Sequence, residues 1–397
     1  MFVAMGVFET KRKVVITCHK WLSPALQQEV EALGFKTDRV FQTGVELTAS
    51  VTECIRLNLN LRTASQVMYS LKSFTCNDPD ELYRQTLGIP WERLIARNGY
   101  FSVTSNVYHP TISTNLYANL RVKDAIVDTM RRASAIRPST GSDLVAVVVN
   151  LFWNQDQAEL FLDTSGESLA RHGYRKLPGT APMLEALAAA TILRTRWDRQ
   201  STFINPMCGS GTLAIEAALI ASRRMPGLLR DNYAFMHILG YEPEVYKVEL
   251  KRLHDTVEVQ SGLRIIASDI SEKAVQIARV NAARAGVEDL IDFQVCDFAD
   301  TEVPEGEGVV MINPEYGERL GEETELQETY TRIGDFFKKR CKGKTAYVFT
   351  GNLDLAKSVR LKPSRRMEFL NAKIDCRLLE YEMYEGSREN RQVTSDK

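Results

Sequence analysis

The sequence predicts an α/β protein whose second half forms a mostly parallel sheet covered by helices, with an α+β portion before it. Three observations predict this. From Leu184 onward, short apolar runs alternate with segments of helical period, the pattern that builds parallel strands joined by crossover helices. Before that point, strand-like and helix-like segments follow no such alternation. A chain of 397 residues also exceeds one ordinary domain, so two or three are expected.

Taken in order, Val14–Thr17 is β-branched and reads as a strand, Ser23-Pro24 as a turn and Ala25–Leu33 as a helix stopped by Gly34. Short strands follow through Val45-Glu46-Leu47, completing a small α+β unit. Between Val51 and Asp163 the spacing gives a helix over Val51–Leu61, another around Trp91–Ile95, a strand over Tyr100–Ser105 and a basic helix over about Leu116–Ala133. A buried strand over Leu144–Leu151 and the alternating Ala158–Leu162 close this region. A domain boundary is placed beside Asp163-Thr164-Ser165-Gly166. The second half then reads as a helix to Arg194, strand Thr202–Ile204, helix Thr212–Ser222, a helix-like stretch to His254 and strand Arg264–Ala267. Helix Glu272–Ala285, strands Ile291–Val295 and Gly308–Ile312, helix Leu326–Lys339 and strand Thr345–Phe349 follow. Arg365–Tyr384 reads as two strands with Asn371-Ala372 near their turn, and the polar tail beyond is expected to be disordered.

Composition is that of a globular chain, 44% hydrophobic and 25% charged, with a formal net charge of -1. Any nucleic-acid surface must therefore be local, because phosphate contacts dominate such affinity. Residues 1–165 are balanced, with 17 Lys/Arg against 16 Asp/Glu, whereas 166–200 carry six against three. The seven cysteines are scattered without Cys-x-x-Cys pairs or His at ligand spacing, so neither a disulfide framework nor a metal site is expected. The early charges Lys11, Arg12 and Lys13 follow the short apolar start instead of preceding it, and no 18-residue apolar run occurs, so a cytoplasmic protein without membrane association is expected.

Two turns carry the chemistry. Asn205-Pro206-Met207-Cys208-Gly209-Ser210-Gly211-Thr212 ends a strand and opens a helix, and its glycines allow a nucleoside cofactor to approach the backbone. A dinucleotide site needs an acidic strand end about 20 residues on. Asp269 lies far beyond that spacing, which favours S-adenosylmethionine, with Asp269 and Ile270 toward the ribose and Asp297-Phe298 toward the adenine. Asn313-Pro314-Glu315-Tyr316 ends a later strand. A base amino group is a poor nucleophile because its lone pair is delocalised into the ring. The Asn313 side chain and the Pro314 carbonyl can accept its N–H bonds and aim the lone pair, with Tyr316 stacked on the ring. Asn313 thus also borders the cofactor, and the two turns together point to methylation of an exocyclic amine on a nucleobase.

With these residues the chain resembles the bacterial large-subunit ribosomal RNA guanine-N2 methyltransferases of the RlmL type. The resemblance runs from about Val14 to Tyr384 and is carried by Asp163-Thr164-Ser165-Gly166, Arg171-His172-Gly173-Tyr174-Arg175, Ala181-Pro182-Met183-Leu184-Glu185, Asn205–Thr212 and Asn313–Tyr316 continuing into Gly317-Glu318-Arg319. It implies a ferredoxin-like domain over 1–50, a THUMP domain over 51–165 and a Rossmann-like methyltransferase with a seven-stranded sheet over 166–385, followed by a tail over 386–397. The second methyltransferase of fused relatives is not expected. It further implies S-adenosyl-L-methionine as cofactor, Asn205, Pro206, Cys208, Gly209, Gly211 and Thr212 around it, and N2-methylguanosine in 23S rRNA as product. The RNA would be met by Arg121, Lys123, Arg131, Arg132, Arg171, Tyr174, Arg175 and Lys176.

Two residues depart from the family pattern, which has Asp where Asn205 stands and a second Pro where Glu315 stands. Glu315 can accept from guanine N1–H or disturb docking through its charge. Two alternatives follow: a tRNA guanine-N2 methyltransferase of the same domain types, and a catalytically silent RNA-binding or assembly protein. Oligomeric state is not legible in these residues.

Overall fold

A computed structural model describes residues 6–110, 112, 114–134, 137–175, 183–258, 262–316 and 323–384. The tail over 386–397, Lys176, Ala181-Pro182 and Gly317-Glu318-Arg319 lie outside the described residues. The chain divides into two compact units. One comprises Met1–His19, Leu26–Ala170 and Pro226–Asp255, and the other Lys20–Ala25, Arg171–Met225 and Thr256–Lys397.

The first unit is built on an eight-stranded mixed sheet. Its elements are β1 (Arg12–Thr17), α1 (Ser23–Ala32), β2 (Thr37–Phe41), β3 (Gly44–Ala49), α2 (Val51–Asn60), β4 (Gln66–Thr75), α3 (Pro79–Leu87), β5 (Tyr100–Tyr108), α4 (Asn115–Ser134), β6 (Ser139–Gly141), β7 (Val147–Asn154) and β8 (Gln157–Asp163). The strand order is β2-β3-β1-β4-β8-β7-β5-β6, with β5 parallel to β6 and β7. Helix α2 starts where Ser50 accepts from the Glu53 amide and Glu53 accepts from the Ser50 amide, a reciprocal cap that satisfies two free donors. Three elements of this unit are not expected from the sequence: β4, α3 and the short β6. Strand β4 pairs with both β1 and β8 and sits mid-sheet, and α3 is announced by Asp78 as its cap with Pro79 behind it. The helix expected around Trp91–Ile95 is a single turn over Trp91–Arg93, because Trp91 is fully buried and its indole nitrogen donates to the Thr86 carbonyl.

The stretch Pro226–Asp255 falls inside the segment expected to form one continuous domain over 166–385, yet it packs within the first unit. Arg230 donates to the carbonyls of Ser165 and Glu167, and the Phe235 amide donates to the Thr164 carbonyl. Tyr233 and Phe235 are buried and stacked with ring centroids 5.0 Å apart.

The second unit carries α5 (Glu185–Leu193), β9 (Thr202–Pro206) and α6 (Thr212–Ala221). After α7 (Pro243–Asp255), which belongs to the first unit, come β10 (Ile265–Asp269), α8 (Glu272–Ala285), β11 (Ile291–Val295), β12 (Gly308–Ile312), α9 (Glu323–Arg340), β13 (Thr345–Thr350), α10 (Leu353–Lys357), β14 (Arg365–Asn371) and β15 (Ile374–Glu382). Its seven strands run β11-β10-β9-β12-β13-β15-β14, the first five parallel and β15 antiparallel to both β13 and β14. The sheet is the expected mostly parallel, seven-stranded one. Its parallel strands β9, β12 and β13 are buried almost throughout because helices cover both faces. Ile204, Val310, Ile312 and Val348 pack with Tyr330, Ile333 and Phe337 of α9 into one core layer.

Candidate active site

The chain runs from β9 outward through β10 to β11, then returns to β12 on the other side of β9, so the strand order reverses between β9 and β12. In open parallel sheets the ligand crevice forms at such a reversal, outside the carboxyl ends of the strands. Backbone pairing between β9 and β12 stops at Ile204 and Val310, and the strands part beyond it. Asn205 bridges the opening: its Nδ2 donates to the Met311 carbonyl at 2.9 Å. Its Oδ1 is buried without a partner, and so is the Oδ1 of Asn313 at the end of β12. Two acceptors thus stand unfilled at the switch point, and buried acceptors are normally satisfied.

The glycine turn is held from several sides. The Cys208 amide donates to Ser268 at 2.8 Å, the Gly209 amide to Asp269 Oδ2 at 2.9 Å, and Asn281 of α8 donates to the Ser210 carbonyl at 3.2 Å. Met207 adopts φ +57, a left-handed conformation rare for a side-chain-bearing residue, which sharpens the turn from strand to helix. Gly211 has φ +82, and a Cβ there would lie 2.8 Å from that of Ala278, so only glycine lets α6 sit this close to α8. A Cβ on Gly209 would meet nothing within 4 Å, so the turn is open there. Pro206 closes β9 and is buried. Cys208 is buried; burial and the nearby Asp269 push its thiol well up, so it is a packing residue and not a nucleophile.

Asp269 accepts from the Ser271 amide through Oδ1 as well as from Gly209 through Oδ2, so it clamps the turn. Ile270 beside it is 73% exposed. Asp297 lies just beyond β11. Burial raises its carboxyl, but Arg332 and the Ala299 amide outweigh this and hold it below the usual carboxylate range. Phe298 corrects the sequence reading. Its ring turns into the core, edge-on to Phe336, with the Arg332 guanidinium 4.9 Å above it, so it offers no open face to an adenine.

At the other turn Pro314 is buried, Glu315 exposed and Tyr316 half-buried. Among the residues expected to contact RNA, Arg131, Arg132 and Arg171 are exposed and Lys123 partly so. Arg121 is engaged: it pairs with Asp80 at 2.5 Å and lies over the Tyr83 ring. Tyr174 and Arg175 are the second correction. Tyr174 is buried with its hydroxyl on Glu216, and Arg175 donates to the Met183 carbonyl and, at 3.0 Å, to Thr212 Oγ1 while facing Glu185 at 3.5 Å. Glu216 holds the Tyr174 hydroxyl, and Met183, Thr212 and Glu185 hold one end of the Arg175 guanidinium, so both side chains are turned into the protein. The sequence reading missed Asn371, Gly351, Arg332 and Asn281, whose roles arise only from distant parts of the chain.

A mostly parallel sheet with a glycine turn and an Asn-Pro turn on adjacent carboxyl ends defines a methyltransferase-type site. Family models agree with this. The RMKL-like methyltransferase domain matches residues 172–380, the RlmL ferredoxin-like domain 13–68 and the THUMP domain 76–163. The chain belongs to the RMKL-like methyltransferase family. It is 37% identical over 385 residues to the ribosomal RNA large subunit methyltransferase K/L of Syntrophotalea carbinolica, covering 94% of this chain and 54% of the relative. The protein of the same name from Aliivibrio salmonicida is 34% identical over 383 residues, covering 95% and 54%. The chain thus spans about half the length of these curated relatives. The solved SMU.472 methyltransferase complexed with SAH superposes with a TM-score of 0.86 at 25% identity, covering 96% of this chain and all of that one. Among the described residues, no helix is long and apolar enough to cross a membrane.

Proposed function

We propose that the chain transfers a methyl group from S-adenosylmethionine to the exocyclic N2 of a guanosine in 23S rRNA. The observation that carries this is the placement of the glycine turn and the Asn313–Tyr316 turn on adjacent strands β9 and β12, either side of the switch point. The residues suit the cofactor. The turn is open at Gly209, Asp269 has lone pairs left for ribose hydroxyls, and Asn205 Oδ1 is an unfilled acceptor for the ammonium of its methionine end. The relatives' names support methylation of large-subunit ribosomal RNA, and the solved complex with SAH supports the cofactor.

S-adenosylmethionine supplies the electrophilic methyl. Asn313 Oδ1, buried and unpartnered, accepts one N–H of the base amine, and the Pro314 carbonyl accepts the other. These bonds draw the nitrogen lone pair out of conjugation and hold it in one direction, so catalysis rests on positioning. Tyr316 supports the base ring, a contact worth roughly 1–3 kcal/mol. Glu315, exposed next to it, accepts from guanine N1–H, a donor that adenine lacks. The exposed Arg131, Arg132 and Arg171 contact phosphates. The target base is flipped out of its stack to reach the crevice.

The test is methyl transfer from labelled S-adenosylmethionine to total RNA from a strain lacking the gene, followed by fractionation and nucleoside analysis. N2-methylguanosine in 23S rRNA is expected. Label in tRNA would replace the substrate, and no label together with no cofactor binding would replace the enzyme by an RNA-binding protein.

A further inference from the structure

Tyr316 is tied to a part of the chain that no motif includes. Its hydroxyl accepts from Asn371 Nδ2 at 2.8 Å, across 55 residues of sequence. Asn371 is the last residue of β14, paired with Ile374, and only Ala372 and Lys373 connect the two strands. Ala372 adopts φ +55, so the turn is a tight left-handed one that fixes where Asn371 stands. The other side of the ring is also set. A Cβ on Gly351 would fall 3.1 Å from Tyr316 Cδ2 and Cε2 and 2.6 Å from Ile374 Cγ2, so the glycine at the end of β13 is the floor on which ring and hairpin meet. Burial pushes the Cys376 thiol up, offset in part by the backbone amide of Asn371 and the Tyr316 hydroxyl. Tyr316 is still half-exposed.

We propose that Asn371 is a positioning residue for base recognition: by holding the Tyr316 hydroxyl it fixes the angle of the ring that supports the target base. The role rests on the proposed base methylation. A tyrosine hinged at its Cβ alone rotates about χ1 and χ2, and a base stacked on it shares that freedom. A hydroxyl anchored to a two-residue hairpin removes it before the base arrives. The polar end of Tyr316 is therefore committed to the protein, and its ring face is what remains for the substrate.

The test is a double-mutant cycle on the full chain with Asn371→Ala and Tyr316→Phe, following methyl transfer to RNA, cofactor affinity by calorimetry and thermal unfolding. Each single variant is expected to lower kcat about tenfold with cofactor affinity within twofold of the parent. The double variant is expected to be no worse than Tyr316→Phe, because the bond that Asn371→Ala removes is already gone there. Independent, multiplying losses, or a fall in cofactor affinity matching the fall in kcat, would overturn the role. Should Asn371→Ala not fold, full activity in Tyr316→Phe would overturn it as well. Transfer by the parent with Asn371→Ala unchanged sinks the positioning role alone, whereas no transfer by the parent sinks the underlying reading together with it.

Discussion

Glu216 and His172 meet at 2.8 Å with neither side chain reaching solvent, and the Tyr174 hydroxyl donates to the same carboxylate oxygen at 2.8 Å. Glu216 stands on α6, the helix that the glycine turn opens, so this buried trio braces that helix. Removing Glu216 takes away the buried acceptor that His172 and Tyr174 share, a loss of about 1–3 kcal/mol. Glu216→Ala is expected to lose that much in urea denaturation, and Glu216→Gln, which keeps an acceptor oxygen, clearly less. Equal losses would show that packing, and not hydrogen bonding, is what Glu216 supplies.

Asn205 explains why an amide is tolerated where the family pattern has a carboxylate. Its Nδ2 bonds to the Met311 carbonyl where the β9–β12 ladder ends. In Asn205→Asp two oxygens would face each other there. The expected result is a stability loss of about 1–3 kcal/mol, the range for leaving a buried acceptor unsatisfied. An unchanged midpoint in thermal or urea unfolding would show that the amide bridges nothing.

Arg332 competes for the groups assigned to the adenine. It lies 2.7 Å from Asp297 Oδ1 and covers the Phe298 ring. The pair is partly exposed, so Arg332→Ala should change stability by less than about 1 kcal/mol. Cofactor affinity, measured by calorimetry, should rise severalfold as Asp297 is freed for an amino group. A fall in affinity would instead make Arg332 part of the pocket wall.

Asp163, in the turn that Arg230 clamps, gives a pH signature. Burial lifts its carboxyl to about 6, against hydrogen bonds from the Ser165 and Gly166 amides and Gln66. Between about pH 4 and 6 the native state therefore holds more protons at this site than the unfolded chain, and its contribution makes stability fall as pH rises through that window. Relative to Asp163→Asn, the parent should lose stability from pH 4.5 to 6 and then level off. Urea unfolding at a series of pH values reads this, and a difference that grows with rising pH would mean that the ionised form is the one the fold prefers.

Much of the candidate site is local in the sequence. The glycine turn, Asp269, Asp297 and the Asn-Pro turn each end an apolar run, and in a parallel sheet all such ends share one edge. Tyr174 and Arg175 were misread for the opposite reason. In sequence they sit in a basic stretch, and nothing nearby shows that Glu216 and Thr212, some forty residues on, draw them inward. Phe298 was misread likewise, since an aromatic residue beside an acidic strand end looks the same whether its ring faces the crevice or the core.

By itself, then, the sequence determined the periodicity of the strands and helices, the turn at Gly209 and Gly211 and the identity of the Asn313–Tyr316 turn, all consequences of short-range sterics and burial pattern. Only the tertiary structure decided that Pro226–Asp255 packs with the first unit, that Arg332 lies on Phe298 and that Asn371 holds Tyr316. Those contacts join segments tens of residues apart. Their partners are chosen by how the sheets close, which no local pattern of residues encodes.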